Sequence, residues 1–171
     1  DLTDEDARKL GETLDQAGVL NPASITLVNS EATREGVRDA IRRVAAQAGP
    51  DDVFLFFYSG HGDQQPSENE LDGTLETIEL YDEAMTDAEL VELFAPIHAR
   101  LTLAVFDSCF SGGMRELINR PGIMGIFASE EDLTSQTAPK YEAGGYLSFF
   151  LRSGLSGAAD ANGDRIITAG E

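Results

Sequence analysis

The chain holds one cysteine and two histidines, so any thiol chemistry has a single nucleophile and few bases to draw on. Cys109 lies in "AVFDSCFSGG", where the apolar run 101–106 gives way to small and polar residues. His61 lies in "FFYSGHGDQQ", where the apolar run 53–58 gives way to Ser-Gly-His-Gly. Either residue alone reads as an ordinary packing or surface group. Set at equivalent ends of two strands, 48 residues apart with the histidine first, they form a pair with a division of labour. The imidazole takes the thiol proton, the thiolate attacks a carbonyl carbon, and the imidazolium returns the proton to a leaving amine. The glycines on both sides of His61 let the backbone approach a ligand closely. Asp107 is a puzzle beside this pair, because a carboxylate disfavours a neighbouring thiolate. Residues two apart on a strand point the same way, so Asp107 is expected to line a pocket next to Cys109. There it selects a cationic side chain, whose charge cancels the penalty.

The elements that must position these residues follow from periodicity. Residues 3–17 put Ala7, Leu10, Leu14 and Ala17 on one helical face, with Thr3 and Asp6 at capping-box spacing. Residues 24–28 (SITLV) read as a short β-branched strand, and 33–48 as an amphipathic helix ending at Gly49-Pro50. The continuous apolar runs 53–58, 101–106 and 123–128 read as strands covered on both faces. Residues 59–84 read as an acidic loop, Thr86 to Glu89 as the capping box of a further helix, and 144–155 as a last helix. This order predicts an α/β layered fold with a mostly parallel sheet. Ligands bind such sheets beyond the carboxyl ends of the strands, where both motifs fall.

The two motifs, in this order and spacing, resemble the His and Cys motifs of the caspase-like cysteine peptidases, specifically metacaspases and their bacterial relatives. The segment "ELDGTLETIELYDEAMTDAEL" resembles the family's acidic region, and "FASEEDLTSQTAPKYEAGGYLSFFL" the region after its nucleophile. The resemblance implies a three-layer α/β/α sandwich. It implies His61 as general base and acid, Cys109 as nucleophile, and an oxyanion hole from the backbone N–H groups of Gly62 and Cys109. It makes Asp107 part of the S1 pocket, with Asp6 of the first helix as the second pocket acid, and so implies cleavage of peptides and proteins after Arg or Lys, including the chain itself. Caspases proper bind an aspartate through arginines, and neither motif here contains one. A clostripain- or gingipain-type peptidase would share the chemistry. The alternative of another class is a calcium-responsive acidic binding module or pseudoenzyme on the same scaffold. The resemblance favours a monomer and implies a strand before the first helix at the centre of the sheet. The chain begins at or just before that helix, which leaves a fragment, a processed chain or ordered segments alone as open alternatives.

No cofactor is required for the expected chemistry, but two calcium sites are candidates. Many metacaspases bind calcium through acids matched here by Asp72 and Asp87, although the family's paired aspartates are represented by Asp87-Ala88. Independently, "DANGDRIITAGE" has EF-hand spacing, with Asp160, Asn162, Asp164 and Glu171 at loop positions 1, 3, 5 and 12 and Arg165 where glycine usually bends the loop.

Length and composition agree with one domain, residues 1–171, of ordinary globular character: 42% hydrophobic and 25% charged residues. The net charge is −19, and residues 62–92 carry eleven acids and no Lys or Arg. Such a field repels nucleic acid and anionic lipid and attracts cations and basic peptides. No apolar run reaches the roughly 18–20 residues of a membrane span. A soluble protein is expected, cytoplasmic or exported after signal removal. One cysteine excludes an internal disulfide framework.

Overall fold

The structure, a computed structural model, describes residues 2–68, 73–168 and 170–171. In chain order its elements are α1 (Thr3–Gln16), α2 (Arg34–Ala45), β1 (Val53–Ser59), β2 (Gly62–Pro66), β3 (Thr74–Glu79), β4 (Ala84–Thr86), α3 (Asp87–Phe94), β5 (Leu101–Asp107), β6 (Ile123–Phe127), β7 (Thr137–Ala138), β8 (Ala143–Gly145) and α4 (Tyr146–Ser153). Short 3-10 turns follow Cys109, over Ser111–Ile118, and precede β8. The three continuously apolar runs form one parallel sheet in the order β1-β5-β6.

Strand alternation assigns the two faces of this sheet. Phe54, Phe56, Tyr58, Ala104, Phe106 and Phe127 join Val37 and Ile41 of α2 and Leu90 and Phe94 of α3 in the main core. Phe94 holds α3 down, its ring meeting Phe54 and Phe56 edge-on at 6.0 and 5.4 Å, a favoured aromatic geometry. Leu55, Phe57, Leu103 and Val105 point the opposite way, toward the side covered by α1 and α4, which contact each other and the sheet. The result is a layered, mixed α/β fold with helices on both faces of a parallel sheet.

Three sequence expectations change. Residues 59–84 are not one loop: β2, β3 and β4 form an antiparallel meander. Its strands are mostly polar and acidic, with Ile78 and Met85 the two apolar residues fully buried in the core, so alternation alone could not reveal them. Residues 24–28 form no strand. They run extended along a cleft of about 1220 Å3 whose other walls are α1, α2 and the outer edge of β1. Their β-branched character sets a local preference, but a strand needs a partner ladder, and among the described residues they have none. The capping box at α1 is absent: Leu2 is the N-cap residue, with no side-chain cap, and Asp6 turns inward. The capping box at Thr86 and Glu89 is present in both directions.

Candidate active site

The register of β1 and β5 decides where the chemistry-bearing residues meet. The strands are parallel and Ser59 pairs with Asp107, so His61 and Cys109 each follow by two residues at the same end of neighbouring strands. The Gly60 N–H donates to the Asp107 carbonyl at 3.2 Å, extending the ladder to the edge of the site. Cys109 lies past the end of β5, so strand alternation stops at Asp107 and the thiol is aimed by a turn. In that turn Phe110 takes the left-handed region at φ 55° and its N–H donates to the Leu133 carbonyl at 2.8 Å. The half-buried Cys109 sulfur is 3.9 Å from both the carbonyl and the hydroxyl of Ser135.

His61 is exposed, but its backbone is held firmly. The Glu79 N–H donates to the His61 carbonyl at 2.9 Å, and the Tyr58 hydroxyl lies 2.8 Å from the same oxygen and 2.7 Å from the Glu79 carbonyl. Burial, with the nearby Glu79 charge, pushes the Tyr58 phenol far above its ordinary range, so it stays a donor. The Glu79–His61 bond makes those residues a hydrogen-bonded pair of the β2–β3 ladder. The next pair, Gly62 and Ile78, is then non-hydrogen-bonded, which leaves the Gly62 N–H turned away from β3. Gly62 itself packs on the Cys109 turn: a β-carbon there would collide with the Cys109 carbonyl oxygen and lie 3.2 Å from the Ser108 hydroxyl.

Asp6 and Asp107, from α1 and β5, are both buried and close enough for the charge of Asp6 to act on Asp107. Asp6 accepts from the Ser59 hydroxyl at 2.8 Å, from the Gly144 N–H at 3.0 Å and from the Gly145 N–H at 3.2 Å. Asp107 accepts from the Ser148 N–H at 2.7 Å, at the start of α4. Burial first, and the Asp6 charge after it, raise the Asp107 carboxyl above its usual range, against the bonds from Ser148. No Lys or Arg among the described residues pairs with either acid. A β-carbon at Gly145 would collide with the Asp107 carboxylate, and one at Gly144 would lie 2.7 Å from Asp6 and 2.9 Å from the Thr3 backbone. Ser59, Gly144, Gly145 and Ser148 therefore belong to this site, and sequence reasoning missed them. The available signal was the Gly-Gly pair directly before a helix.

The calcium candidates are placed differently. Asp72 lies outside the described residues. Asp87 is buried at the first position of α3, its carboxylate accepting from the Ala88 N–H at 2.7 Å. In the C-terminal loop, Asp160 accepts from the N–H groups of Gly163, Asp164 and Arg165 at 2.7–3.1 Å. Asn162 accepts from Asp164, Asp164 from Ile166, and Glu171 from both the N–H and hydroxyl of Thr168. Arg165 adopts φ 65°, the bend glycine usually supplies. Among the described residues, no three His, Cys, Asp or Glu side chains gather closely enough to hold a metal ion. Among the same residues no helix is long and apolar enough to cross a membrane.

Comparison with known proteins adds four findings. The sequence model of a family described as "metacaspase, peptidase C14 domain" matches residues 14–118. Metacaspase-1 of Schizosaccharomyces pombe is 40% identical over 94 residues, half of this chain and 22% of the relative. Metacaspase-1 of Mycosarcoma maydis is 32% identical over 127 residues, 66% of this chain and 31% of the relative. The chain thus spans less than a third of the length of these fungal relatives. A crystal structure of a Geobacter sulfurreducens protein, a structural-genomics target, superposes with a TM-score of 0.66 at 23% identity, covering 85% of this chain and 69% of that one. It shares the fold.

Proposed function

The chain belongs to the metacaspase family of peptidase C14 domains, and from that premise we propose that it is a cysteine endopeptidase that cuts after Arg or Lys with a His61–Cys109 dyad. The observation that carries the proposal is the pairing of Ser59 with Asp107, which sets the two motifs side by side at the carboxyl ends of adjacent parallel strands. His61 removes the Cys109 proton. The thiolate sulfur attacks the scissile carbonyl carbon, and the carbonyl π electrons move to oxygen. The backbone N–H groups of Gly62 and Cys109 receive that oxyanion. Collapse of the intermediate expels the amine, which takes its proton from the His61 imidazolium. Water, deprotonated by the neutral imidazole, then releases the acid and restores the thiol.

Specificity comes from Asp6 and Asp107, two buried acids held by neutral donors. A guanidinium or ammonium entering beside them supplies the missing positive charge, in surroundings where a charge pair is strong. Substrates are accordingly basic peptides and protein segments, and the acidic 62–92 region favours their approach. The chemistry needs no metal.

A peptide library varied at P1, with and without calcium, tests this. Hydrolysis after Arg and Lys, lost in Cys109→Ala and in His61→Ala, is the expected result. Equal or better cleavage after Asp refutes the specificity. No hydrolysis by the wild-type chain, together with no labelling of Cys109 by an Arg-mimicking electrophile, would instead favour a binding module.

A further inference from the structure

The nucleophile turn has an anchor that the dyad does not explain. Ser129 stands two residues beyond β6. Its hydroxyl donates to the Ser108 carbonyl at 3.1 Å and accepts from the Ser111 N–H at 3.1 Å. The fully buried Ser111 answers it: its hydroxyl accepts from the Ser129 N–H at 3.1 Å and lies 3.4 Å from the Ser129 carbonyl and 3.2 Å from the Ser129 hydroxyl. One side chain thus grips the backbone on both sides of Cys109. The contact belongs to a close approach of two segments. The Phe110 N–H reaches the Leu133 carbonyl, and a β-carbon at Gly112 would lie 2.6 Å from the Glu131 nitrogen and 2.8 Å from the Glu130 carbonyl carbon. Gln64, three residues past His61, donates to the Glu131 carbonyl at 3.1 Å. The same segment therefore braces the histidine strand.

The Ser108 carbonyl and the Cys109 N–H are the two ends of one peptide group. That group is planar, so whatever fixes the direction of the C=O fixes the direction of the N–H. A hydrogen bond to the carbonyl oxygen also polarises the amide and strengthens its N–H as a donor. The turn needs holding, because Phe110 sits in the left-handed region that side chains resist. We propose that Ser129 is a positioning residue that aims and strengthens the Cys109 N–H as an oxyanion donor by hydrogen-bonding the carbonyl of the same peptide unit. The inference rests on the peptidase reading for its catalytic consequence, while the grip itself is measurable without it.

The lone cysteine makes the test clean, since Ser108–Cys109 is the only Ser–Cys pair in the chain. Protein carrying carbonyl-13C serine and 15N cysteine gives one pair of resonances, reporting the Ser108 carbonyl and the Cys109 N–H. In Ser129→Ala both resonances move. The kcat for an Arg peptide falls roughly tenfold, a fraction of the about 10²–10³ that follows outright loss of such a donor, while KM stays unchanged. Alkylation of Cys109 by iodoacetamide, which uses no oxyanion donor, keeps its rate, and Ser129→Thr restores kcat. Ser111→Ala removes buried side-chain bonds at the same place but leaves the Ser129 hydroxyl on Ser108, so it controls for a loss of stability alone. Unmoved resonances in Ser129→Ala overturn the grip, whatever the activity. Moved resonances with unchanged kcat, or equal losses of kcat in Ser129→Ala and Ser111→Ala, overturn its role as an aiming device. A wild-type chain that cuts no peptide, while the resonances still move in Ser129→Ala, refutes the peptidase reading and upholds the grip.

Discussion

Replacing Asp107 by Asn separates specificity from chemistry. The two side chains have one shape, and the Asn carbonyl can still accept the Ser148 N–H that Asp107 accepts at 2.7 Å, so the change removes a charge and little else. Losing one partner of a desolvated charge pair costs about 2–5 kcal/mol, or about 30- to 5000-fold in kcat/KM. Asp6 keeps its carboxylate in the same pocket, which sets the expected loss at the lower end, about 30- to 100-fold on an Arg peptide. A citrulline peptide, neutral and of nearly the same shape, should be cut equally by both proteins. Stability moves in the other direction. Burial holds the folded-state Asp107 carboxyl above its unfolded value, so between those two values the folded state binds more protons. Stability is then full below the ordinary carboxylate range and is lost as pH rises through the raised value. Asn does not titrate. Without substrate, Asp107→Asn should melt above wild type at neutral pH, and the difference should close in acid. Arg-to-citrulline ratios under both proteins and melting curves against pH are the assays. An unchanged ratio, or a variant that melts below wild type at neutral pH, would refute the reasoning.

Tyr58→Phe deletes the hydroxyl shared by the His61 and Glu79 carbonyls. It should cost about 1 kcal/mol of stability by chemical denaturation and lower kcat more than it raises KM. Gly145→Ala drives a methyl into the Asp107 carboxylate; weakened Arg-peptide binding, seen as a raised KM at nearly unchanged alkylation of Cys109, is the expected outcome. Because thiol and imidazole complete the proposed chemistry, cleavage measured in excess chelator should stay well above that of Cys109→Ala.

His61 and Cys109 were legible because each follows an uninterrupted apolar run, and such runs make strands of a parallel sheet covered on both faces. Their adjacency then needed only that the two strands be neighbours. Asp6 was legible through the family resemblance alone. By local rules it read as half of a capping box with Thr3, and only the fold shows its carboxylate on Ser59, Gly144 and Gly145. Those partners are set by contacts across most of the chain, to which no window of sequence is sensitive. The meander at β2–β4 was hidden for a different reason. Its strands are mostly polar, Glu76 and Thr77 are polar yet buried, and just two of its apolar residues, Ile78 and Met85, are buried anchors. Residues 24–28 erred in the opposite sense, with strand composition but no ladder.

The hydrogen bond from Gly144 to Asp6 joins residues 138 positions apart, whereas β1 and β5, which align the dyad, lie closer in sequence. Contacts of long sequence separation carry a larger loop-closure entropy and form late. The thiol and imidazole can therefore come together on a chain in which Asp6 has not yet met Gly144. On a ribosome, Asp6 emerges 138 residues before Gly144. The contact that ties α1 to the segment before α4 is in this sense among the last the molecule makes as it matures and among the first it loses when that segment loosens.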